Sequence, residues 1–131
     1  MSTLFQTDTQ RVQLYLAENA GWMKMLVAQK NELPQLEQLL QMENTMEVNY
    51  KTEIEKKLFV KELALQQEEM NKLNTALDQQ QQRLKKDTEK KYLHDIDSLC
   101  NQDILRDKIK EIEKKYIELK CSFMKFLASI I

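Results

Sequence analysis

The sequence predicts an all-α protein, elongated and coiled-coil in character, made of two or three long helices. Three observations predict it. The 131 residues hold one Gly and one Pro, where an average chain of this length holds roughly nine and six or seven. These two residues make most tight turns and helix stops. Glu, Lys, Gln and Leu dominate, with 31% charged and 42% hydrophobic residues. The apolar residues recur at alternating spacings of three and four, the period of one helix face. The expected segments are an N-terminal helix over 1–31, a long coiled-coil helix over 32–98 and a C-terminal amphipathic helix over 99–131. Breaks are expected near 29–33 and, as one of two readings, at 98–103.

In the first segment Thr7 or Asp8 offers an N-cap oxygen. Val12, Tyr15, Asn19, Trp22, Leu26, Gln29, Leu33, Leu36 and Leu40 form one stripe. Gly21 weakens this helix by about 1 kcal/mol relative to Ala, and its missing side chain leaves room for a neighbouring helix beside Trp22. Tyr15 and Trp22 read either as packing residues or as partner contacts. Inside a helix, Pro34 would remove the bond to the Lys30 carbonyl. In a first turn it costs little, so a break or sharp kink is expected at 29–33 with Asn31 as cap, a continuous kinked helix being the alternative.

The second segment starts with Leu36, Leu39, Leu40, Met46, Tyr50, Ile54 and Leu58. Its later steps are all four, so the stripe drifts around the helix. Phe59, Leu63, Met70, Leu73, Leu77 and Leu84 then keep heptad phase, with Gln66 and Gln80 in core positions. A core Gln is either a tolerated imperfection or a device that fixes register. The run Gln79–Gln82 reads as a solvated face, and Lys85, Lys86, Lys90 and Lys91 as surface among Asp87 and Glu89. As one helix, 35–97 would span about 95 Å.

The phase slips between Tyr92 and Asp103, where Ser98, Asn101 and Asp103 offer caps. The slip reads as a turn or as local unwinding. Leu105, Ile109, Ile112, Tyr116, Leu119, Phe123, Phe126 and Ile130 then form the cleanest heptad stripe of the chain. Ile104, Ile117, Met124, Leu127 and Ile131 widen its face, as a bundle helix requires. The sequence stops at Ser129-Ile130-Ile131 without a polar tail. That ending implies either a covering partner or a longer chain.

Chemistry is sparse. The one His, His94, and the two cysteines, Cys100 and Cys121, lack metal-site spacing. A single Gly forms no phosphate loop, Asp95 and Asp97 point to different sides of a helix, and no nucleophile–base pair is evident. No catalytic residue, cofactor or metal is expected. The net charge of −1 gives no general attraction to nucleic acid or anionic lipid. The first residues lack a signal-peptide pattern, so reduced cysteines and a cytoplasmic location, cytoskeletal or centrosomal in one version, are expected. No apolar run is long enough to insert in a membrane.

A lone amphipathic helix cannot bury its own stripe. The expected partners are therefore other helical, coiled-coil subunits in a hetero-oligomer. Their contacts are expected at Tyr15, Trp22, Leu26, Leu63, Met70, Leu77 and Leu84, and at Leu105, Ile109, Ile112, Tyr116, Leu119, Phe123, Phe126 and Ile130. The expected function is non-enzymatic: a structural scaffold or spacer in a cytoskeletal, centrosomal or kinetochore-type assembly. The alternatives are a vesicle tether or trafficking adaptor, or a regulator binding a globular target through its C-terminal apolar face.

Overall fold

A computed structural model describes the backbone of residues 2–42, 50–89 and 96–130, and the side chains of 10–41, 50–86 and 99–130. These residues form three helices: α1 (Ser2–Met42), α2 (Tyr50–Glu89) and α3 (Ile96–Ile130). All the described residues are helical. Each helix is about 50–60 Å long at 1.5 Å per residue.

Contacts between levels give the topology. Val12 packs with Leu84, and Asn19 bonds Gln81, so α1 and α2 are antiparallel. Gln80 meets Gln102 while Phe59 meets Phe123, so α2 and α3 are antiparallel too. Asn19 bonds Gln102 and Glu32 binds Lys120, so α1 and α3 run parallel. The result is an up–down–up three-helix bundle with α2 packed against both neighbours.

One stripe of each helix fills the interior. Leu26, Leu33, Leu36 and Leu40 of α1 meet Leu63, Met70, Leu73 and Leu77 of α2 and Leu105, Ile109, Ile112 and Phe123 of α3. At one end Phe59 stands edge-on to Phe123, with centroids 5.8 Å apart, and tilts against Phe126 at 5.1 Å. Such pairs add to plain burial because ring edges and faces carry opposite partial charge.

The expected break at 29–33 is absent. α1 runs unbroken through Pro34 to Met42. The reason is energetic. Pro34 is exposed, and its lost bond and clash cost about 3 kcal/mol. Leu33, Leu36 and Leu40 are 2–3% exposed, and burying each such side chain contributes about 1.5–3 kcal/mol. Bending at Pro34 would pull them out of the core. A single helix over 32–98 is ruled out as well, since α2 runs antiparallel to both α1 and α3. Residues 98–103 are helical and belong to the first turns of α3. Asn101 and Asp103 are not caps: Asn101 donates to Gln80, and Asp103 pairs with Arg106. Met46, Tyr92 and His94 lie outside the described residues. Gly21 is exposed with nothing near its missing Cβ, so none of the described helices approaches there.

Among the described residues a polar layer drawn from all three helices interrupts the interior, and apart from it Gln66 donates to the Ile112 carbonyl. Asn19, Gln80 and Gln102, one from each helix, are all at most 1% exposed. The Gln102 carboxamide is saturated: it donates to Asn19 Oδ1 (2.7 Å) and Glu18 Oε1 (2.8 Å). Its oxygen accepts from Asn19 Nδ2 (3.1 Å) and Gln80 Nε2 (3.2 Å). Gln81 closes the layer by accepting from Asn19 and donating to the Leu16 carbonyl. The glutamine run is therefore split, with Gln79 and Gln82 in solvent but Gln80 and Gln81 in the layer. Sliding α3 by one heptad would set Ile109 against Asn19 and Gln80. Each carboxamide left unpaired would cost about 1–3 kcal/mol.

Phe123→Ala should lower stability by about 3–5 kcal/mol in urea unfolding, because a fully buried ring leaves a cavity. Gln102→Leu should cost about 2–4 kcal/mol, because Asn19 loses both its bonds to Gln102 and Gln80 loses one. Replacing all three layer residues by Leu should recover much of that loss but broaden amide NMR spectra, as several registers become populated.

Candidate partner-binding surface

The residues expected to meet a partner meet one another. Leu26, Leu63, Met70, Leu77, Leu84, Leu105, Ile109, Ile112, Tyr116, Phe123 and Phe126 are buried within the bundle. Trp22, Leu119 and Ile130 pack against the main core, and Tyr15 packs against Val12 and Leu84. The chain's own helices thus supply the facing surfaces that a coiled-coil stripe needs.

Two ionic clamps bridge α1 and α3 outside the core. Arg106 binds Glu18 through Nη2 at 2.8 Å and Nε at 3.2 Å, and binds Asp103 at 2.9 Å. Its guanidinium also lies 5.8 Å from the Tyr15 ring centre, a cation–π distance. Glu18 in turn accepts from Gln102, so this clamp continues the polar layer. Further along, Lys120 binds Glu32 at 2.6 Å, and the Tyr116 hydroxyl donates to the same carboxylate. These bonds, Lys120 first, hold the Glu32 carboxyl below its usual range, while burial and then Glu32 push the Tyr116 hydroxyl up.

The apolar residues left outside are the informative ones. Tyr50, Ile54, Leu58 and Leu65 of α2 are 45–80% exposed and lie on one side of the helix, at steps of four and seven. The drift of Tyr50, Ile54 and Leu58 away from the heptad turns the row outward, and Leu65 continues it one heptad on. The groove between α2 and α3 beside them forms two adjoining depressions of about 450 and 370 Å³. Leu58, Phe59 and Phe126 line the first, and Leu65 and Leu119 the second. Glu55, Glu62, Glu69 and Glu118 stand along the lips, against Lys115 and Lys125. Of these two cations, Lys115 is engaged by Glu69 and Glu111, at 3.6 and 3.7 Å. On α3, Ile117 and Met124 are also exposed, a heptad apart.

Among the described residues no group of His, Cys, Asp and Glu could hold a metal ion, and Cys100 and Cys121 are free and exposed. No described helix is long and apolar enough to cross a membrane. No known family model, curated protein or solved structure matches the chain.

The Glu32–Tyr116–Lys120 clamp sets a pH dependence. A carboxyl depressed by folding stabilises the bundle above its ordinary value of 4.5 and loses that contribution as acid protonates it. A phenol raised by folding stabilises below its ordinary value of 10.0, and the contribution falls as pH climbs beyond it. Glu32→Gln should flatten the decline of melting temperature below pH 4.5, and Tyr116→Phe the decline above pH 10.

Proposed function

We propose that this chain is a non-enzymatic structural subunit, a stiff helical spacer that joins other helical proteins in a larger assembly. It is of the sort found in cytoskeletal, centrosomal and kinetochore complexes. The observation that carries this reading is the outward stripe Tyr50–Ile54–Leu58–Leu65 on a bundle whose other long stripes are covered. An apolar row of that kind, rimmed by charge, marks a contact surface. Three long helices in one bundle set a separation of about 50–60 Å between what binds at either end. The buried polar side chains support the non-enzymatic part. Asn19, Gln80 and Gln102 bond one another and the neighbouring Glu18, Gln81 and Asn101, and Gln66, at the wall of the α2–α3 groove, donates to the Ile112 carbonyl.

The stripe is separable from the fold, because exposed positions contribute little to stability. Ile54→Ser, Leu58→Ser and Leu65→Ser combined should leave helicity and melting temperature nearly unchanged while removing co-purifying proteins in affinity purification from cells. Retention of every partner by the triple variant would contradict this surface. Phe123→Asp and Phe126→Asp should instead unfold the chain, because both rings are interior.

A further inference from the structure

We infer that the α2–α3 groove receives one amphipathic helix from another protein, carrying apolar anchors a heptad apart and a basic flank. This inference rests on the contact surface proposed above and adds the chemistry of its occupant. The groove's length comes first. The stretch beside Leu58 and Leu65 runs along α2 from Glu55 to Glu69, which is about 21 Å or four helical turns; beyond Glu69 the groove continues past Lys72 and Lys108. Such a channel suits a helix of similar length. The anchors come second. Leu58 and Leu65 stand one heptad apart, each about half exposed, so an incoming helix meets them with residues at the same spacing. Phe59, Phe126 and Leu119 form the floor between the two helices.

Charge decides the flanks. Glu55, Glu62 and Glu69 recur every seven residues along one lip, and Glu118 faces them from α3. Among the described residues lining these two depressions, the four carboxylates stand against Lys115 and Lys125, a balance of −2, and Lys115 is already bound by Glu69 and Glu111. Lys or Arg on the incoming helix would complete the lip as flanking charges do in coiled coils. The same row disfavours two other occupants. A second copy docked antiparallel through this face would set carboxylates against carboxylates, and an anionic bilayer would be repelled.

The test uses the full chain and two designed peptides of about 20 residues, both helical with Leu anchors at heptad spacing. One has Lys flanks and the other Glu flanks. The Lys peptide should bind at least tenfold more tightly by fluorescence anisotropy and weaken as salt rises. Glu55→Lys with Glu62→Lys should reverse the preference, and Leu58→Ser with Leu65→Ser should abolish binding of both peptides. Equal binding of the two peptides, or tighter binding of the Glu peptide, would overturn the basic occupant while leaving the contact face standing. Absence of binding by either peptide would overturn the groove as a helix receptor. If the Leu58→Ser, Leu65→Ser chain also kept all its cellular partners, the contact surface itself would fall. Light scattering that shows a dimer abolished by the two Ser substitutions would make the occupant a second copy, against this inference.

Discussion

The fold depends on where three carboxamides can go. Asn19, Gln80 and Gln102 are out of contact with water, so each needs a partner inside the bundle. They satisfy one another at a single axial alignment of the three helices. The leucine stripes on either side supply most of the burial energy, but a heptad stripe accepts a one-heptad slide with little change. The polar layer does not. Apolar packing therefore explains why the helices associate, and the layer explains why they associate in this register.

This division of roles orders the rest of the molecule. From the layer, Glu18 and Arg106 carry the alignment outward to the α1–α3 surface, where Tyr15 covers the guanidinium. Toward the other end the bundle closes on Phe59, Phe123 and Phe126. With α1 and α3 both engaged by α2, the apolar residues that drift off the heptad have no intramolecular surface left. Tyr50, Ile54 and Leu58 face solvent for that reason, Leu65 extends their row one heptad on, and the proposed role follows from that leftover face.

Much of the interior was legible in the sequence. Leu63, Met70, Leu77 and Leu84, and Leu105 through Phe126, follow the heptad phase and are buried. Gln66 and Gln80 were readable as core positions, and the drift at Tyr50–Leu58 was visible as steps of four. What a stripe cannot state is which helix covers it, so residues expected to meet other proteins meet each other. Gln102 escaped notice because it sits in the phase slip, beside residues that resemble caps. Extending the stripe of Leu105 and Ile109 back by one step would have found it. Pro34 reads as a break because its local cost shows in the sequence while the burial of Leu33, Leu36 and Leu40 around it does not. The acidic lip was equally hidden: Glu55, Glu62 and Glu69 are ordinary surface residues until α3 lies beside them.

The central claim is that this chain covers its own stripes. The direct measurement is the thermal melt, followed by circular dichroism over a hundredfold range of protein concentration. A bundle closed within one chain unfolds at a temperature independent of concentration. A coiled coil closed between chains melts higher as concentration rises, by mass action. A constant melting temperature with high helicity is the predicted result. A melting temperature that climbs with concentration would show that the stripes are covered by another chain and would contradict the account.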